Sequence, residues 1–263
     1  MLAGACACAG IGLRPMRVVF RCDPTLLDTL VRPIPARQAL PDWLRAMPRT
    51  AYSDVHQQEV RTVKQCPPFV DAMAHGFIIP LPCDVRVHDG ILSWDWDHPA
   101  LSVEAHPRSP VSFHVPAQVM GTPFFESDTA VVKFNSFWTI ELEPGYSLFA
   151  THPINRADLP FRLLTGLVDC DRFSDVGVLF PAVWTDPNFE GVLQRGTPVA
   201  QCFPVAREAL ALHCEAFSAA DAERYQATAS DLLSRPGVYR RKFRVRRERS
   251  GAERAPQAAE VKP

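Results

Sequence analysis

The loop THPINRADLP gathers His152, Asn155, Arg156 and Asp158 between two apolar runs. An imidazole, an amide, a guanidinium and a carboxylate this close together could hold a polar ligand, because loops beside rigid strands expose groups that strands bury. Asp169 in GLVDCD and Gln201 in PVAQCF add a carboxylate and an amide at strand positions. These six residues are the candidate ligand-binding set. A second set is His98, His106, His114 and, shared with the first, His152. Two or three histidines with a carboxylate on inward strand faces would make the metal site of an iron oxygenase or cupin on a jelly roll. The nearest local approach to such a pair is Trp96-Asp97-His98, and neither His-x-His nor His-x-Asp occurs. The pattern therefore calls for no metal and no cofactor. Nucleophilic chemistry is no better supported: Gly-x-Ser-x-Gly and the common phosphate loops are absent. Cys66, Cys83, Cys170 and Cys202 lie beside apolar or proline neighbours that predict buried, inert thiols. No residue is assigned a catalytic role.

The scaffold for these groups follows from composition. The chain has 263 residues, 47% hydrophobic and 22% charged, enough for one substantial core. Lysine and arginine number 28 against 29 acids, a net charge of −1, so no general attraction to nucleic acid or anionic membrane is expected. Twenty-five prolines against 13 glycines favour short strands joined by rigid turns. No run approaches the roughly 20 apolar residues of a membrane span. Residues 1–16 lack the basic start of an export signal and read as a disordered leader or a mistaken start before Met16. The eight cysteines are accordingly expected to be reduced, and the protein cytoplasmic.

Along the chain, RVVFRC predicts a strand, followed by a proline-punctuated arm with short helical turns. Phe69, Met73 and Phe77 recur every four residues, so Pro67–Gly76 predicts a helix ending on a left-handed glycine. His75, in its last turn, would favour the dipole there. His88-Asp89-Gly90 predicts a tight hairpin turn between FIIPLPCDVRV and ILSWDWDH. In the second run Trp94 and Trp96 share one face, Asp95 and Asp97 the other. Further strands are expected at LSVEAH, PVSFHV, AVVKF and FWTIEL, then continuously through 137–207 with almost no helix. Ser218 and Asp221 form a capping-box pattern opening a helix whose stripe is Ala222, Tyr225, Ala229 and Leu232. Beyond it, RRKFRVRR alternates apolar and basic residues as an extended segment would, and Arg240 to Arg249 offers nucleic-acid contact.

Two resemblances rest on ordered motifs. ELEPGYSLFATH, DLPF, GLVDCD and RGTPVAQCFPV resemble, in sequence and order, the strands of the trimeric dUTPase and dCTP deaminase barrel. That resemblance implies a β-clip barrel, a tendency to trimerise, and an active-site role for the position of Asp169. The family's serine-rich phosphate loop has no counterpart in FRLLT, so the implied nucleotide chemistry is not expected. The longer runs KQCPPFVDAMAHGFIIPLPCDV, FNSFWTIELEPGYSLFATHPINRADLPF and FEGVLQRGTPVAQCFPVARE are similar to domain-of-unknown-function family 6065 of phages and bacteria. It implies that the first helix and hairpin belong with the barrel, and implies no activity.

Together these readings predict a mainly-β protein, a dUTPase-like barrel or sandwich with an N-terminal arm, one short helix and a C-terminal helix. The domain is expected over 17–235 with a barrel core at 137–207, and 236–263 as a basic, disordered tail. The function expected is a noncatalytic binding or assembly module, its partner an unidentified small molecule or protein. The alternatives are the metal-dependent oxygenase and a nucleotide-binding protein.

Overall fold

A computed structural model describes residues 15–98, 100–124 and 130–245. The strands, in chain order, are β1 Val18–Arg21, β2 Ile34–Pro35, β3 Thr50–Ser53, β4 Gln58–Arg61, β5 Phe77–Pro80, β6 Val85–His88, β7 Ile91–Ser93, β8 Val111–Phe113, β9 Val131–Leu142, β10 Tyr146–Thr151, β11 Phe161–Leu163, β12 Gly166–Val168, β13 Gly177–Trp184, β14 Gly191–Leu193 and β15 Pro198–Ala206. The α-helices are α1 Asp42–Ala46, α2 Pro67–Met73 and α3 Ala219–Ser234. The chain is mainly β, and its contacts divide it into two compact units, 1–209 and 210–263. The expected leader lies almost wholly outside the described residues.

In the first unit every strand pairing is antiparallel. One five-stranded sheet runs β1-β9-β13-β11, with β8 also on β9, and a second runs β12-β10-β15-β5-β2. A three-stranded sheet, β14-β6-β7, and the β3–β4 hairpin complete it. Alternate residues of the two large sheets fill one core: Val132, Phe134, Ile140, Phe180 and Ala182 from the first, Ile79, Leu148, Ala150, Val199 and Cys202 from the second. No helix is described within 137–207, as the strand-rich reading expects.

The turn chemistry behaves as the residue types dictate. Asp89 and Gly90 take φ of +50° and +71°, the two positive values a type I′ hairpin requires. Gly76 (φ +72°) ends α2 and lies so close to β15 that a Cβ there would sit 2.1 Å from the Cys202 carbonyl oxygen. β9 absorbs AVVKF and FWTIEL into one strand, broken by a bulge in which Ser136–Trp138 oppose Val178 alone. Ser136 Oγ closes the bulge by donating to the Trp138 carbonyl (2.6 Å) and accepting from its N–H (3.1 Å). The extra residues turn Phe137 and Trp138 into a second cluster with Leu26 and Leu30 of the arm. Trp138 Nε1 donates to Val31 O at 2.9 Å, so the bulge is what fastens the arm.

Several local expectations are corrected. LSVEAH forms no strand, and the strand in ILSWDWDH ends at Ser93, although Trp94 and Trp96 remain half-buried and Asp95 and Asp97 exposed. Cys66 is exposed, because it precedes the proline-started first turn of α2 and lies outside the core. Tyr239–Phe243 is a π-helical turn and not an extended segment. Its start is set by Gly237, whose φ of +77° and carbonyl, accepting from Arg241 N–H, fold the chain back on itself. The basic residues beyond 245 lie outside the described residues.

Candidate functional site

The loop after β10 brings His152, Asn155, Arg156 and Asp158 together, but their polar atoms turn inward on the chain. Pro153 O accepts from Arg156 N–H at 3.1 Å, closing a turn in which Asn155 takes φ +59°, a conformation asparagine tolerates well. Arg156 grips Asp158 by two parallel bonds, Nε to Oδ1 and Nη2 to Oδ2, both 2.7 Å. That pairing, with a hydrogen bond from Trp43 of α1, holds the Asp158 carboxyl below the usual carboxylate range against an opposing burial effect. His152 Nε2 lies 2.7 Å from the Arg156 carbonyl, and its Nδ1 accepts from Leu163 N–H at 3.3 Å. The ring is therefore the neutral Nε2–H tautomer, and burial lowers its pKa in agreement. Its role is to cap the outer edge of β11, whose Leu163 N–H would otherwise have no strand partner.

Gln201 faces this loop across the β10–β15 register, in which it opposes Thr151. It is 1% exposed. Its Oε1 accepts from Ile154 N–H (2.9 Å), and its Nε2 donates to the carbonyls of Ala72 (2.9 Å) and His75 (2.7 Å). The side chain thus ties β15 to the end of α2 and to the loop, with no atom left for a ligand.

Asp169 stands apart from the other five. It contacts the opposite end of β10, where its Oδ1 accepts from Ser147 Oγ at 2.5 Å. Ser147 and Thr151 are four residues apart, about 13 Å along a strand rising ~3.3 Å per residue. Arg207 Nη1 also reaches Asp169 Oδ1 at 3.3 Å, but the guanidinium is directed chiefly at Asp171 (2.8 and 2.5 Å). Asp169 is thus the outer member of a strand-end network.

The candidate metal histidines do not converge. The rings of His98 and His106 both lie against Phe137, at centroid separations of 6.3 and 5.1 Å, beside Trp96. His114 instead turns its Nδ1 to Gln118 Oε1 at 2.9 Å. Among the described residues, one trio presents metal-ligating atoms within 4.8 Å of one another: His88, Asp89 and Glu190, all exposed. Its hydrogen bonds explain it structurally. Glu190 Oε1 accepts from Asp89 N–H (2.8 Å) and Oε2 meets His88 Nδ1 (3.0 Å), so the carboxylate caps the hairpin turn; these bonds lower its pKa.

A concave feature of the first unit lies elsewhere, at the β11 edge of the first sheet. A cleft of about 870 Å³ is walled by Leu92, Phe124, Leu163, Val183 and Trp184, with Gly90 at its rim and Thr165 and Thr185 among its polar groups. Arg162 projects from β11 into its lining, exposed and with no hydrogen bond or ion pair to the described residues. Sequence reading passed over it, because FRLLT was weighed only as a missing phosphate loop. The available signal was an arginine isolated between Phe161 and Leu163. Both neighbours are buried, so the pleat must turn Arg162 outward. Comparison with known proteins adds no family: neither family models nor curated proteins match the chain.

Proposed function

We propose that the first unit is a noncatalytic binding module whose cleft takes an organic anion with a flat apolar body. The carrying observation is the Arg162 guanidinium, without a hydrogen bond or ion pair to the described residues, in a cleft otherwise walled by Trp184, Phe124, Leu92 and Val183. A guanidinium presents a planar fork matched to a carboxylate or phosphate, and an indole offers a face for a ring. Among the described residues the lining contains no Asp, Glu, His, Cys or Lys, which favours binding over acid–base or nucleophilic chemistry. We place this module on a dUTPase-type fold. Supporting that placement are the strand-only 137–207 region, the positive φ of Gly145 and Gly196 (both +89°) before the paired strands β10 and β15, and one core shared by two sheets. In FRLLT the position of a phosphate loop is occupied by β11, so dUTP and dCTP are not turned over.

The test is titration of the protein with phenyl phosphate, benzoate and neutral benzyl alcohol, followed by tryptophan fluorescence with Trp184→Phe to assign the signal. The two anions should bind saturably. Arg162→Gln should weaken them roughly 10- to 100-fold, the worth of a charge-assisted pair at about 1.5–3 kcal/mol. Equal affinity in Arg162→Gln, or no anion binding at millimolar concentrations, overturns the reading.

A further inference from the structure

The second unit carries an apolar seam that none of its described residues buries. Along α3, Ala222, Tyr225, Ala229 and Leu232 recur at alternating spacings of three and four residues, the a/d pattern by which helices pack side by side. No residue of α3 is buried. Tyr225, Leu232 and the adjacent Leu233 are 63%, 50% and 90% exposed. Phe217, entering the helix, sets its ring 5.7 Å from that of Tyr225 and extends the seam, itself exposed. The helix is well terminated: Ser218 and Asp221 cap each other reciprocally, and Asp231 pairs with Arg235 and Lys242. Capping alone leaves a sixteen-residue helix marginal in water, because most helical stability comes from packing an apolar face.

Charge is divided along the same axis. Toward the start of the helix stand Glu215, Asp221 and Glu223 against Arg224, whereas among the described residues from 231 to 245 Arg235, Arg240, Arg241, Lys242 and Arg244 stand against Asp231 as the single acid. We infer that this unit pairs with the same unit of a second copy of the chain, α3 against α3, antiparallel and seam to seam. A parallel pair would stack the basic segments on one another. The antiparallel pair sets the acidic end of each helix beside the basic end of the other and opposes their dipoles. One two-fold register satisfies the seam throughout: Ala222 meets Leu232 and Tyr225 meets Ala229, so each large side chain faces a small one. On the flank of that seam Asp221 then lies toward the partner's Arg235, an acid beside a base.

The experiment is analytical ultracentrifugation of the full chain from about 5 to about 200 µM, a range suited to a short seam of micromolar affinity. The expected result is a monomer–dimer equilibrium. Leu232→Asp and Tyr225→Asp should each weaken it at least about tenfold, and Arg235→Glu should weaken it at low salt but little at high salt. All three positions are exposed in the single chain, so the variants should leave the thermal unfolding of the first unit unchanged. A chain that sediments as a monomer throughout overturns the inference, as does a dimer indifferent to Leu232→Asp. Binding of a short DNA oligonucleotide by a monomeric chain would assign the basic end to nucleic acid and overturn it likewise.

Discussion

Arg207 and Asp171 form a two-bond ion pair, Nη1 to Oδ1 at 2.8 Å and Nη2 to Oδ2 at 2.5 Å, that joins the residue after β15 to the turn after β12. Gly145 N–H donates to the same carboxylate at 3.0 Å, so one aspartate fastens three segments. The pair and the backbone donor hold the Asp171 carboxyl far below the usual carboxylate range. A carboxylate depressed in the folded state contributes stability that is complete above its unfolded pKa, about 3.9, and is lost as pH falls through the folded value. Asp171→Asn should therefore lower Tm at pH 7, and the gap to wild type should close as pH falls below about 4. A gap that is constant from pH 7 to pH 2 would show that the pair contributes no charge-dependent stability. Calorimetry across that range measures it.

Close backbone approach separates the glycines that only turn from those that also pack. A Cβ on Gly177 would lie 2.2 Å from Ser136 O across the β9 bulge, and one on Gly76 would lie 2.1 Å from Cys202 O. A Cβ on Gly196 meets nothing within 4 Å, although its φ is +89°. Gly196→Ala should cost only the conformational term, about 1–2 kcal/mol. Gly76→Ala adds a backbone clash to the same term and should cost clearly more, as should Gly177→Ala from the clash alone. Denaturant midpoints of the three variants give the order.

Local grammar carried most of what the sequence made legible. Asp89-Gly90, Gly145, Gly196 and the Ser218/Asp221 box each act through neighbours a few residues away, and each appears in the geometry its type demands. What stayed illegible was fixed by partners far along the chain. Gln201 reads as a wet strand position between Ala200 and Cys202, yet the end of α2, more than a hundred residues earlier, covers it and takes its donors. Glu190 falls in the strand run FEGVL with nothing local to mark it, yet it caps a turn at Asp89 because β14 pairs with β6. The six residues of the ligand set do not all come together for the same reason: Asp169 lies beside Ser147 near the start of β10, whereas Gln201 lies opposite Thr151 at its end.

The thiols divide by burial. Desolvation, with added repulsion from neighbouring acids, pushes Cys83 and Cys170 up to about 11, and full burial beside Cys170 pushes Cys202 higher still. Cys66 and Cys214 are exposed. Thiolate is the reacting species, so the last two should react quickly with an aromatic disulfide at pH 8 and the first three only on unfolding. Cys66→Ser and Cys214→Ser should each remove one equivalent from the fast phase; Cys83→Ser, Cys170→Ser and Cys202→Ser should remove none. A fast equivalent lost with any of those three would show that the core opens there.

Gln201 gives the sharpest distinction between a ligand-binding and a positioning role. Its amide satisfies a donor, Ile154 N–H, and two carbonyls, Ala72 O and His75 O, in a site closed to solvent. Gln201→Ala removes all three bonds, leaving Ala72 O only the His75 N–H, and opens a cavity, which should cost several kcal/mol at about 1–3 kcal/mol for each buried group left unsatisfied. Gln201→Glu keeps the acceptor for Ile154 but, when ionised, aims a carboxylate at two carbonyl oxygens. It should be strongly destabilised at pH 8 and partly restored at pH 5, where the protonated acid can donate one bond again. A ligand role predicts the opposite pattern, with wild-type stability in Gln201→Ala and a loss confined to binding. Measuring Tm for both variants at both pH values, with phenyl phosphate affinity at the Arg162 cleft as the parallel readout, decides between them.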